Sequence, residues 1–265
     1  MRTVDFAGWP HPVSVLGFGC ASLGSRISRN DGIAAVERAL AAGITWFDVA
    51  PSYGDGEAEA ILGDVLRGTN TAILSKVGLR ASAPSGLLRL VRGIARPIVA
   101  AVPGLRSLIK PMRSGAVARV SLSAEIIRTS VARSLERLKV DRIAVLALHD
   151  PSLDDVRSDE VLRALDDVKR QGLAARIGVA GAYDVGAAAH SADGAIDVAQ
   201  FAAIDGAHRI APLNAQGVFT VMHSVFAGGA TLRDCFAANP NGVVLASSFA
   251  PAHLTANVAA AAAPL

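Results

Sequence analysis

Four reactive side chains stand at similar places in the sequence, at or just after the end of a short apolar run. Asp48 closes the run ITWFD, Lys76 closes AILSK, His149 follows IAVLAL, and Tyr53 lies in the loop VAPSYGDGEAE that follows Asp48. If these runs are parallel strands of a barrel, their carboxyl ends meet at one face, where barrels hold their reactive groups. We therefore expect the four side chains to share one site.

The four residue types are suited to exchanging a proton with an oxygen atom of a substrate. A phenol with a pKa of about 10 is a poor acid at neutral pH, and a positive charge nearby makes proton release easier. Lys76 can supply that charge to Tyr53, and an ammonium that points inward needs a carboxylate, for which Asp48 is the candidate. His149 can donate a hydrogen bond to a carbonyl oxygen. The set therefore predicts chemistry at a carbonyl group.

Each residue also has a purely structural interpretation. Asp48 and Lys76 could form an ion pair that plugs a barrel, Tyr53 could be a turn residue, and His149 could cap the turn that follows it. The combined order and strand positions favour the reactive site, because perturbed titratable groups gathered at one end of a barrel usually mark one.

Eight short apolar runs recur along the chain, and stretches with helical periodicity separate them. Strands are predicted at 13–19, 44–48, 72–76, 143–148, 175–179, 197–202, 217–222 and 243–246. Amphipathic helices are predicted from Ile33, Glu57, Ala124 and Ser158. Helix stop signals stand at Gly43, Gly68 and Gly172, and start signals stand at Ser123, Ser158 and Pro251.

Near-continuous apolar strands that alternate with helices indicate an α/β fold with a covered parallel sheet, and eight such units close naturally into a (β/α)₈ barrel, the TIM barrel. A doubly wound open sheet is the competing fold. It is disfavoured because no G-x-G-x-x-G motif follows an early strand. We expect residues 1–265 to form a single domain, a common size for a barrel of this kind.

A long insertion follows the third predicted strand. Residues 80–120 far exceed the length of an ordinary connection and read as short amphipathic helices broken at Pro97, Pro103 and Pro111. The first interpretation is a lid over the reactive face that walls the substrate pocket. A basic segment at 86–112 that lies on an anionic membrane surface, or a dimer contact, is the alternative.

Composition narrows the range of partners and compartments. The net charge is +3 without a basic run, which makes nucleic acid an unexpected partner. Two cysteines, Cys20 and Cys235, support neither a disulfide framework nor a metal cluster and fit a reducing compartment. Without an apolar leader or a long apolar run, we expect a cytoplasmic protein, with membrane association only in the alternative given for residues 86–112. We expect no metal, since the acids after His149 are explained as helix N-terminal residues.

The chain resembles the aldo-keto reductase family over nearly its whole length. The segments that carry the resemblance are LGFGCASLG, GITWFDVAPSYGDGEAEAILGDVL, ILSKVG, SLERLKVDRIAVLALHDP, GLAARIGVAG and ASSFAPAHLTANVAAA. The resemblance implies a (β/α)₈ barrel with a nicotinamide cofactor extended across its carboxyl-terminal mouth. It further implies that Tyr53 is the proton donor or acceptor, that Lys76 lowers its pKa, that Asp48 holds Lys76, and that His149 orients the substrate oxygen.

The resemblance also implies a set of cofactor contacts. They fall on Cys20, Ala21, Asp48, Gln200, His223, Ser224, Phe226, Ser247, Ser248 and Asn257. Two departures from the family pattern bear on this set. Ala180 and Gly181 stand where many members have Ser and Asn, and Ser247 and His253 stand where members selective for NADP usually have Lys and Arg. We expect NADP(H) as the cofactor. NAD(H) is the alternative, because the Lys and Arg charges that would hold the 2′-phosphate of NADP are missing at Ser247 and His253.

These features predict that the protein is an oxidoreductase that exchanges hydride between a nicotinamide cofactor and an aldehyde, a ketone or a sugar hydroxyl. The SKVG motif and the LHDP motif are similar to those of the bacterial aldose and galactose dehydrogenases. A second hypothesis stays open, a non-catalytic barrel that binds a cofactor or a protein partner. It rests on the departures from the family pattern at Ala180 and Gly181 and in the segment expected to bind the adenine end. The expected substrate is a small carbonyl compound or a sugar.

Overall fold

The computed structural model describes residues 1–81, 117–191 and 196–264, and within them eight parallel strands close into a barrel. The strands of the described residues are β1 (Thr3–Val4), β2 (Val13–Ser14), β3 (Leu16–Gly19), β4 (Trp46–Asp48), β5 (Ala72–Val77), β6 (Leu79–Ala81), β7 (Val117–Arg119), β8 (Ile143–His149), β9 (Ala174–Ala180), β10 (Val198–Ala202), β11 (Phe219–His223) and β12 (Val243–Ala246). The barrel runs in the order β3, β4, β5, β8, β9, β10, β11 and β12, and β12 pairs with β3 to close it. The predicted (β/α)₈ fold is confirmed.

Helices cover the outside of the barrel. They span Arg29–Ala41, Glu57–Val65, Ala124–Leu138, Leu153–Arg157, Asp159–Arg170, Tyr183–Ser191, Ala203–Gly206, Ile210–Ala215, Leu232–Ala238 and Pro251–Ala262. Short 3₁₀ turns occupy Tyr53–Gly56, Ala207–Arg209 and Ala227–Gly229. The first helix begins four residues before the predicted Ile33, because Ser28 caps it by accepting a hydrogen bond from the Asp31 amide. Apolar periodicity alone does not reveal a polar first turn.

The predicted helix signals lie where they were expected. Ser123 and Ser158 accept hydrogen bonds from the amides three residues later, and Pro251 occupies the first turn of its helix. The glycines at the three predicted helix ends have φ of +84°, +75° and +75°, the left-handed conformation that ends a helix. These local signals fix the lengths of the helices and therefore the spacing of the strands.

Two antiparallel strand pairs stand outside the barrel. At its amino-terminal end, β1 pairs with β2. At the opposite end, β6 pairs with β7 and so brings the two ends of the predicted insertion together directly after β5. The remaining part of that insertion, residues 82–116, lies outside the described residues, and so do the predicted lid and the alternative membrane-surface segment at 86–112.

Side chains of the barrel strands alternate between the barrel interior and the helix layer, as the period of two requires. The interior layer includes Trp46, Leu74, Ala147, Val198 and Val221, all buried. Each of them precedes by two positions a polar side chain nearer the open end, namely Asp48, Lys76, His149, Gln200 and His223. The apolar layer therefore forms the floor on which the polar residues stand.

Aromatic rings close the amino-terminal end of the barrel. Phe6 contacts Trp46 edge to face at 5.2 Å between ring centroids, and Trp46 stacks on Phe219 at 5.6 Å. Phe6 and Trp46 belong to the buried interior layer of the barrel, and Phe219 packs against that layer. Because this end is filled, a ligand of the barrel has to enter from the carboxyl ends of the strands.

Close packing between β9 and β10 generates a stability prediction. A Cβ added to Gly178 would lie 2.5 Å from the Val198 carbonyl oxygen, whereas one added to helical Gly186 would lie 3.5 Å from its nearest neighbour, Ala199. Gly178→Ala should lower the free energy of unfolding by about 1–3 kcal/mol. The control Gly186→Ala should leave it unchanged or raise it by up to about 1 kcal/mol. Urea unfolding followed by circular dichroism tests both, and equal stability of the two variants would contradict the prediction.

Candidate active site

A cavity of about 700 Å³ opens at the carboxyl ends of the barrel strands. Its wall brings together residues from every part of the barrel rim. The lining residues are Gly19, Ala21, Asp48, Tyr53, Lys76, His149, Asp150, Ala180, Gly181, Ala182, Gln200, Ala202, Asp205, His223, Ser224, Val225, Phe226, Ala227, Leu245, Ala246 and Ser247. They include all four residues that were predicted from the sequence to share one site, namely Asp48, Tyr53, Lys76 and His149.

A buried ion pair lies at the base of the cavity. The Lys76 ammonium donates to both Asp48 carboxylate oxygens at 2.7 Å and to the Val49 carbonyl oxygen at 3.2 Å. Side-chain exposure is 2% for Lys76 and 6% for Asp48. Burial is the largest single influence and lowers the pKa of Lys76, but the charges of Asp48 and Tyr53 and the hydrogen bonds to both together outweigh it, and the pKa is raised overall. Lys76 is therefore a permanent cation at neutral pH.

Tyr53 reaches this pair from the turn after β4. The Lys76 ammonium lies 3.4 Å from the Tyr53 hydroxyl oxygen, at the long end of hydrogen-bond distances. The turn Tyr53–Gly56 contains three successive residues with positive φ, Gly54 at +60°, Asp55 at +58° and Gly56 at +86°. A Cβ at Gly54 would lie 2.6 Å from the Leu23 carbonyl oxygen, so only glycine fits there. This tight turn holds the phenol over the cavity.

The net pKa of Tyr53 differs from the simplest expectation from the sequence. Burial raises the pKa of Tyr53 and outweighs the lowering by the Lys76 charge and hydrogen bond. The negative charge of Asp48 also raises it, whereas the Lys76 charge taken alone predicts a lowered pKa. Tyr53 is therefore a neutral phenol at neutral pH, and it carries a proton that it can donate.

Two imidazoles complete the polar floor. The His149 ring meets the Tyr53 ring edge to face at 5.9 Å between centroids. Burial lowers the pKa of His149 to about 3, and Lys76 and His223 act in the same direction. Burial also lowers the pKa of His223. Both rings are neutral at pH 7, so each can donate one hydrogen bond into the cavity without adding a charge.

The nicotinamide contacts implied by the family resemblance can be tested against the wall between β9 and β11. Gln200 is 4% exposed, and its Oε1 has no hydrogen-bond partner among the described residues. An unpaired buried acceptor that lines a cavity fits a ligand amide N–H₂. His223, on the neighbouring strand β11, also lines the cavity, and its Nδ1 bonds to Ser224 Oγ at 2.9 Å. Ala180 and Gly181 contribute no side-chain donors here. The wall therefore offers a nicotinamide the free acceptor Gln200 Oε1 for its carboxamide and the flat His223 side chain for its ring.

Only some of the other cofactor contacts implied by the resemblance line the cavity. Ser247 lines the cavity, but its hydroxyl already donates to the Gly19 carbonyl oxygen at 2.9 Å. Asn257 donates to Ser248 Oγ at 2.6 Å, and neither residue lines the cavity. Ala21 and Phe226 do line it, and Phe226 is 61% exposed. Cys20 is fully buried behind the wall and contacts the Phe18 carbonyl oxygen, so its thiol does not reach the cavity.

Two carboxylates at the rim were not identified from the sequence. Asp150 was explained as a helix N-terminal acid, but the next helix begins at Leu153 and Asp150 instead lines the cavity with φ of +51°. Arg119 of β7 binds it at 2.7 Å. Asp205 lines the cavity from the short helix after β10 and is exposed. Asp150 lies in the LHDP motif without a role predicted for its carboxylate, Asp205 lies in no motif, and the closed barrel brings both to one rim.

Residues 1–81, 117–191 and 196–264 contain neither a metal-binding group nor a membrane-spanning helix. No group of three or more His, Cys, Asp or Glu side chains in this part of the chain is arranged to hold a metal ion. None of the helices in the same part combines the length and the apolar character needed to cross a membrane.

Comparison with known proteins identifies relatives of this barrel. The sequence model of the Aldo/keto reductase family matches residues 15–230. L-galactose dehydrogenase of Arabidopsis thaliana is 33% identical over 175 residues, which cover 64% of this chain and 45% of that protein. D-threo-aldose 1-dehydrogenase of a Pseudomonas species is 30% identical over 172 residues, 63% of this chain and 50% of that protein. The chain thus spans about half the length of these curated relatives.

Solved structures share the fold over nearly the whole chain. A structure described as an aldo-keto reductase from Pseudomonas aeruginosa has a TM-score of 0.73 and 26% identity, and covers 98% of this chain and 93% of its own. An aldo/keto reductase from Klebsiella pneumoniae, solved in complex with NADP and acetate, has a TM-score of 0.68 and 18% identity, with coverage of 100% and 91%. At that identity the second comparison concerns the fold alone.

The low pKa of His149 generates a prediction for stability. An unfolded chain binds a proton on this imidazole near pH 6.5, whereas the folded chain does so only near pH 3. Protons therefore favour the unfolded state between these values, and the free energy of unfolding falls as the pH drops below 6.5. By about pH 5 the loss from His149 should be about 1–2 kcal/mol.

Chemical denaturation of the cofactor-free protein at pH 7 and pH 5 measures this loss. His149→Asn should lose less stability between the two pH values than the unmodified protein, by that amount. His253→Asn, at an exposed position, serves as the control and should match the unmodified protein. An equal pH dependence in all three proteins would contradict a buried neutral His149.

Proposed function

This chain belongs to the aldo/keto reductase family, and on that basis we propose that it is an oxidoreductase. It exchanges hydride between a nicotinamide cofactor and an aldehyde, a ketone or a sugar hydroxyl. The observation that carries the proposal is the set of contacts at the cavity floor, where a neutral phenol, a permanent ammonium and a neutral imidazole face one space. These are the groups that proton exchange with a carbonyl or hydroxyl oxygen requires.

Each residue of the set has a distinct proposed role. Tyr53 donates its proton to the developing alkoxide in reduction, and in oxidation its phenolate form accepts the proton of the substrate hydroxyl. Lys76 stabilises negative charge on that phenol oxygen, and Asp48 keeps the ammonium in place at 2.7 Å. His149, as a neutral donor, holds the substrate oxygen beside Tyr53. A bound nicotinamide cofactor supplies the hydride, so the chain itself contributes positioning and electrostatics.

Gln200 and His223 support binding of the cofactor's nicotinamide end. The free Oε1 of Gln200 would accept a hydrogen bond from the carboxamide, and the His223 ring would offer a flat face to the nicotinamide ring. Ser224, Phe226, Ala21 and Ser247 are proposed to contact the rest of the cofactor. Ser248 and Asn257 are proposed to act at the adenine end, where they bond to each other.

The choice between NADP(H) and NAD(H) depends on the charges near the adenine end. Among the described residues that line the cavity, Lys76 is the single Lys or Arg, and Asp205 adds a negative charge. This balance supports NAD(H). Arg38 supports NADP(H), because its Nη2 donates to the Phe249 carbonyl oxygen at 3.3 Å and so lies beside the segment that begins at Ser247. We propose that both cofactors bind with similar affinity.

Two features support a hydroxyl-rich neutral substrate such as a sugar. The two curated relatives described above are named as dehydrogenases of L-galactose and of D-threo-aldose. In this chain, Asp150 and Asp205 place carboxylate oxygens at the cavity rim, where they can accept hydrogen bonds from substrate hydroxyls. Carboxylates at the rim also disfavour an anionic substrate by charge repulsion.

The remaining expectations concern organisation and compartment. We propose that residues 1–265 form a single barrel domain and that the protein acts in the cytoplasm. Both cysteines are free thiols and both are buried, which supports a reducing compartment.

Tyr53→Phe tests the proposed proton donor. Removing the phenol hydroxyl should lower kcat by about 10²–10⁴-fold for neutral aldehydes and aldoses, while cofactor binding stays intact. Tyr183→Phe is the matched control, because Tyr183 lies outside the cavity wall and bonds to the Arg209 carbonyl oxygen at 2.6 Å. It should retain the kcat of the unmodified protein. Equal kcat in the Tyr53 variant would refute the assignment, and cofactor binding without turnover on any substrate would favour the non-catalytic barrel.

Fluorescence titration with NADH and NADPH tests the cofactor proposal. The two Kd values should agree within about tenfold, since a full set of charge-assisted phosphate contacts is missing. Arg38→Leu should weaken NADPH binding about tenfold and leave NADH binding unchanged, whereas Arg67→Leu on an exposed helix end should change neither. A preference above about 100-fold for either cofactor, or an unaltered NADPH affinity in the Arg38 variant, would contradict it.

A further inference from the structure

Glu59 is a buried carboxylate that takes no part in the cavity. It lies in the helix Glu57–Val65, is 0% exposed, and does not line the cavity wall. Its Oε1 accepts a hydrogen bond from the Ser75 hydroxyl at 2.8 Å, and its Oε2 accepts one from Arg137 Nη1 at 2.9 Å. Burying a carboxylate costs several kcal/mol unless it is paired and hydrogen-bonded, so these two contacts are necessary for it to remain there.

The Ser75 contact reaches the strand that carries Lys76. Neighbouring residues of a strand face opposite sides, so Ser75 points to the helix layer while Lys76 points into the barrel. The hydrogen bond from Ser75 to Glu59 therefore attaches β5 to the helix Glu57–Val65 at the position next to Lys76. Movement of Ser75 along or across the strand would move Lys76 with it.

The Arg137 contact reaches the turn that carries Tyr53. Gly56 ends that turn with φ of +86°, and a Cβ at Gly56 would lie 2.9 Å from Arg137 Nε and 3.1 Å from Arg137 Cζ. The guanidinium therefore packs directly on the turn backbone. A Cβ at Gly63 would lie 2.2 Å from the Arg137 carbonyl oxygen, so the helix Glu57–Val65 and the helix Ala124–Leu138 are also in close contact.

The cluster of Glu59, Ser75 and Arg137 thus holds, from the helix side, both elements whose side chains meet inside the barrel. We propose that Glu59 is a positioning residue that sets the separation of the Tyr53 hydroxyl and the Lys76 ammonium. That separation is 3.4 Å, so a further increase of a few tenths of an ångström breaks the hydrogen bond. This role rests on the proposed oxidoreductase function, because it acts through the proposed proton donor.

Glu59→Gln and Ser75→Ala test the positioning role by kinetics. Gln at 59 removes the charge that holds Arg137, and Ala at 75 removes the strand contact while it leaves the ion pair intact. We expect kcat to fall about 10–100-fold in Glu59→Gln and about 3–10-fold in Ser75→Ala. KM and the cofactor Kd should stay within about threefold, because the cluster touches neither ligand.

Asp197→Asn is the matched control for loss of a paired carboxylate. Asp197 accepts hydrogen bonds from Lys169, Arg176 and the Ile177 amide, and it directly precedes β10 at the filled end of the barrel. Its variant should lower Tm as Glu59→Gln does but leave kcat within about twofold. If Glu59→Gln and Ser75→Ala lower Tm while kcat equals that of the Asp197 variant, Glu59 is purely structural and the proposal is overturned.

A second measurement is independent of turnover. The chain contains two tyrosines, so a ¹³Cζ-tyrosine NMR spectrum at pH 7 has two resonances, and Tyr183→Phe assigns them. The double variant Asp48→Asn, Lys76→Met gives the Tyr53 resonance without its ammonium contact. Glu59→Gln and Ser75→Ala should move the Tyr53 resonance part of the way to that reference, and Asp197→Asn should leave it in place.

The NMR measurement separates the failure of the positioning role from the failure of the proposed function. If no carbonyl or sugar is turned over by the unmodified protein, the oxidoreductase proposal fails while the Tyr53 resonance still reports whether Glu59 sets the contact. A Tyr53 resonance that stays at its original position in both variants would overturn the positioning role whatever the kinetics show.

Discussion

The site depends on one interaction, the buried pair of Lys76 and Asp48. An ammonium that is 2% exposed cannot stay charged in an apolar barrel unless acceptors surround it, and here two carboxylate oxygens and the Val49 carbonyl oxygen do so. The layer beneath the pair is apolar and its far end is closed by aromatic rings, so no polar group reaches the pair from that side. The position of each partner is therefore strictly determined by the other.

The same burial sets the protonation of every other group on the floor. Two effects oppose each other at Tyr53, because burial raises its pKa and Lys76 lowers it, and burial is the larger. At His149 burial and the Lys76 charge act together, and the imidazole stays neutral. The floor thus carries the positive charge of Lys76, compensated by Asp48, together with the neutral donors Tyr53 and His149. Such an arrangement stabilises negative charge that develops on a substrate oxygen, and it does so without a competing charge from the histidines.

Much of this could be predicted from the sequence, and the reason is local. Strands such as 143–148 and stops such as Gly172 are encoded within a few residues, and strand ends in a barrel meet at one face whatever the connections are. The positions of Asp48, Lys76 and His149 followed from that rule. The net pKa of Tyr53, the pairing of Asp150 with Arg119 and the burial of Cys20 did not, because each depends on atoms distant in sequence. Glu59 was hidden for the same reason, since its partners are Ser75 and Arg137.

The two halves of the cavity differ in how they can hold a ligand. The half formed by β4, β5 and β8 presents charged and aromatic side chains fixed by short hydrogen bonds and ring contacts. In the half formed by β9 to β12, half of the lining residues are Ala, Gly or Val, and polar side chains such as Gln200, His223 and Ser224 stand among them. Small side chains bring a ligand close to the main chain, so binding there relies on backbone groups and on the free Gln200 acceptor. The residues proposed for chemistry therefore lie in one half of the rim, while the other half offers a ligand close approach to the backbone and the polar side chains of Gln200, His223 and Ser224.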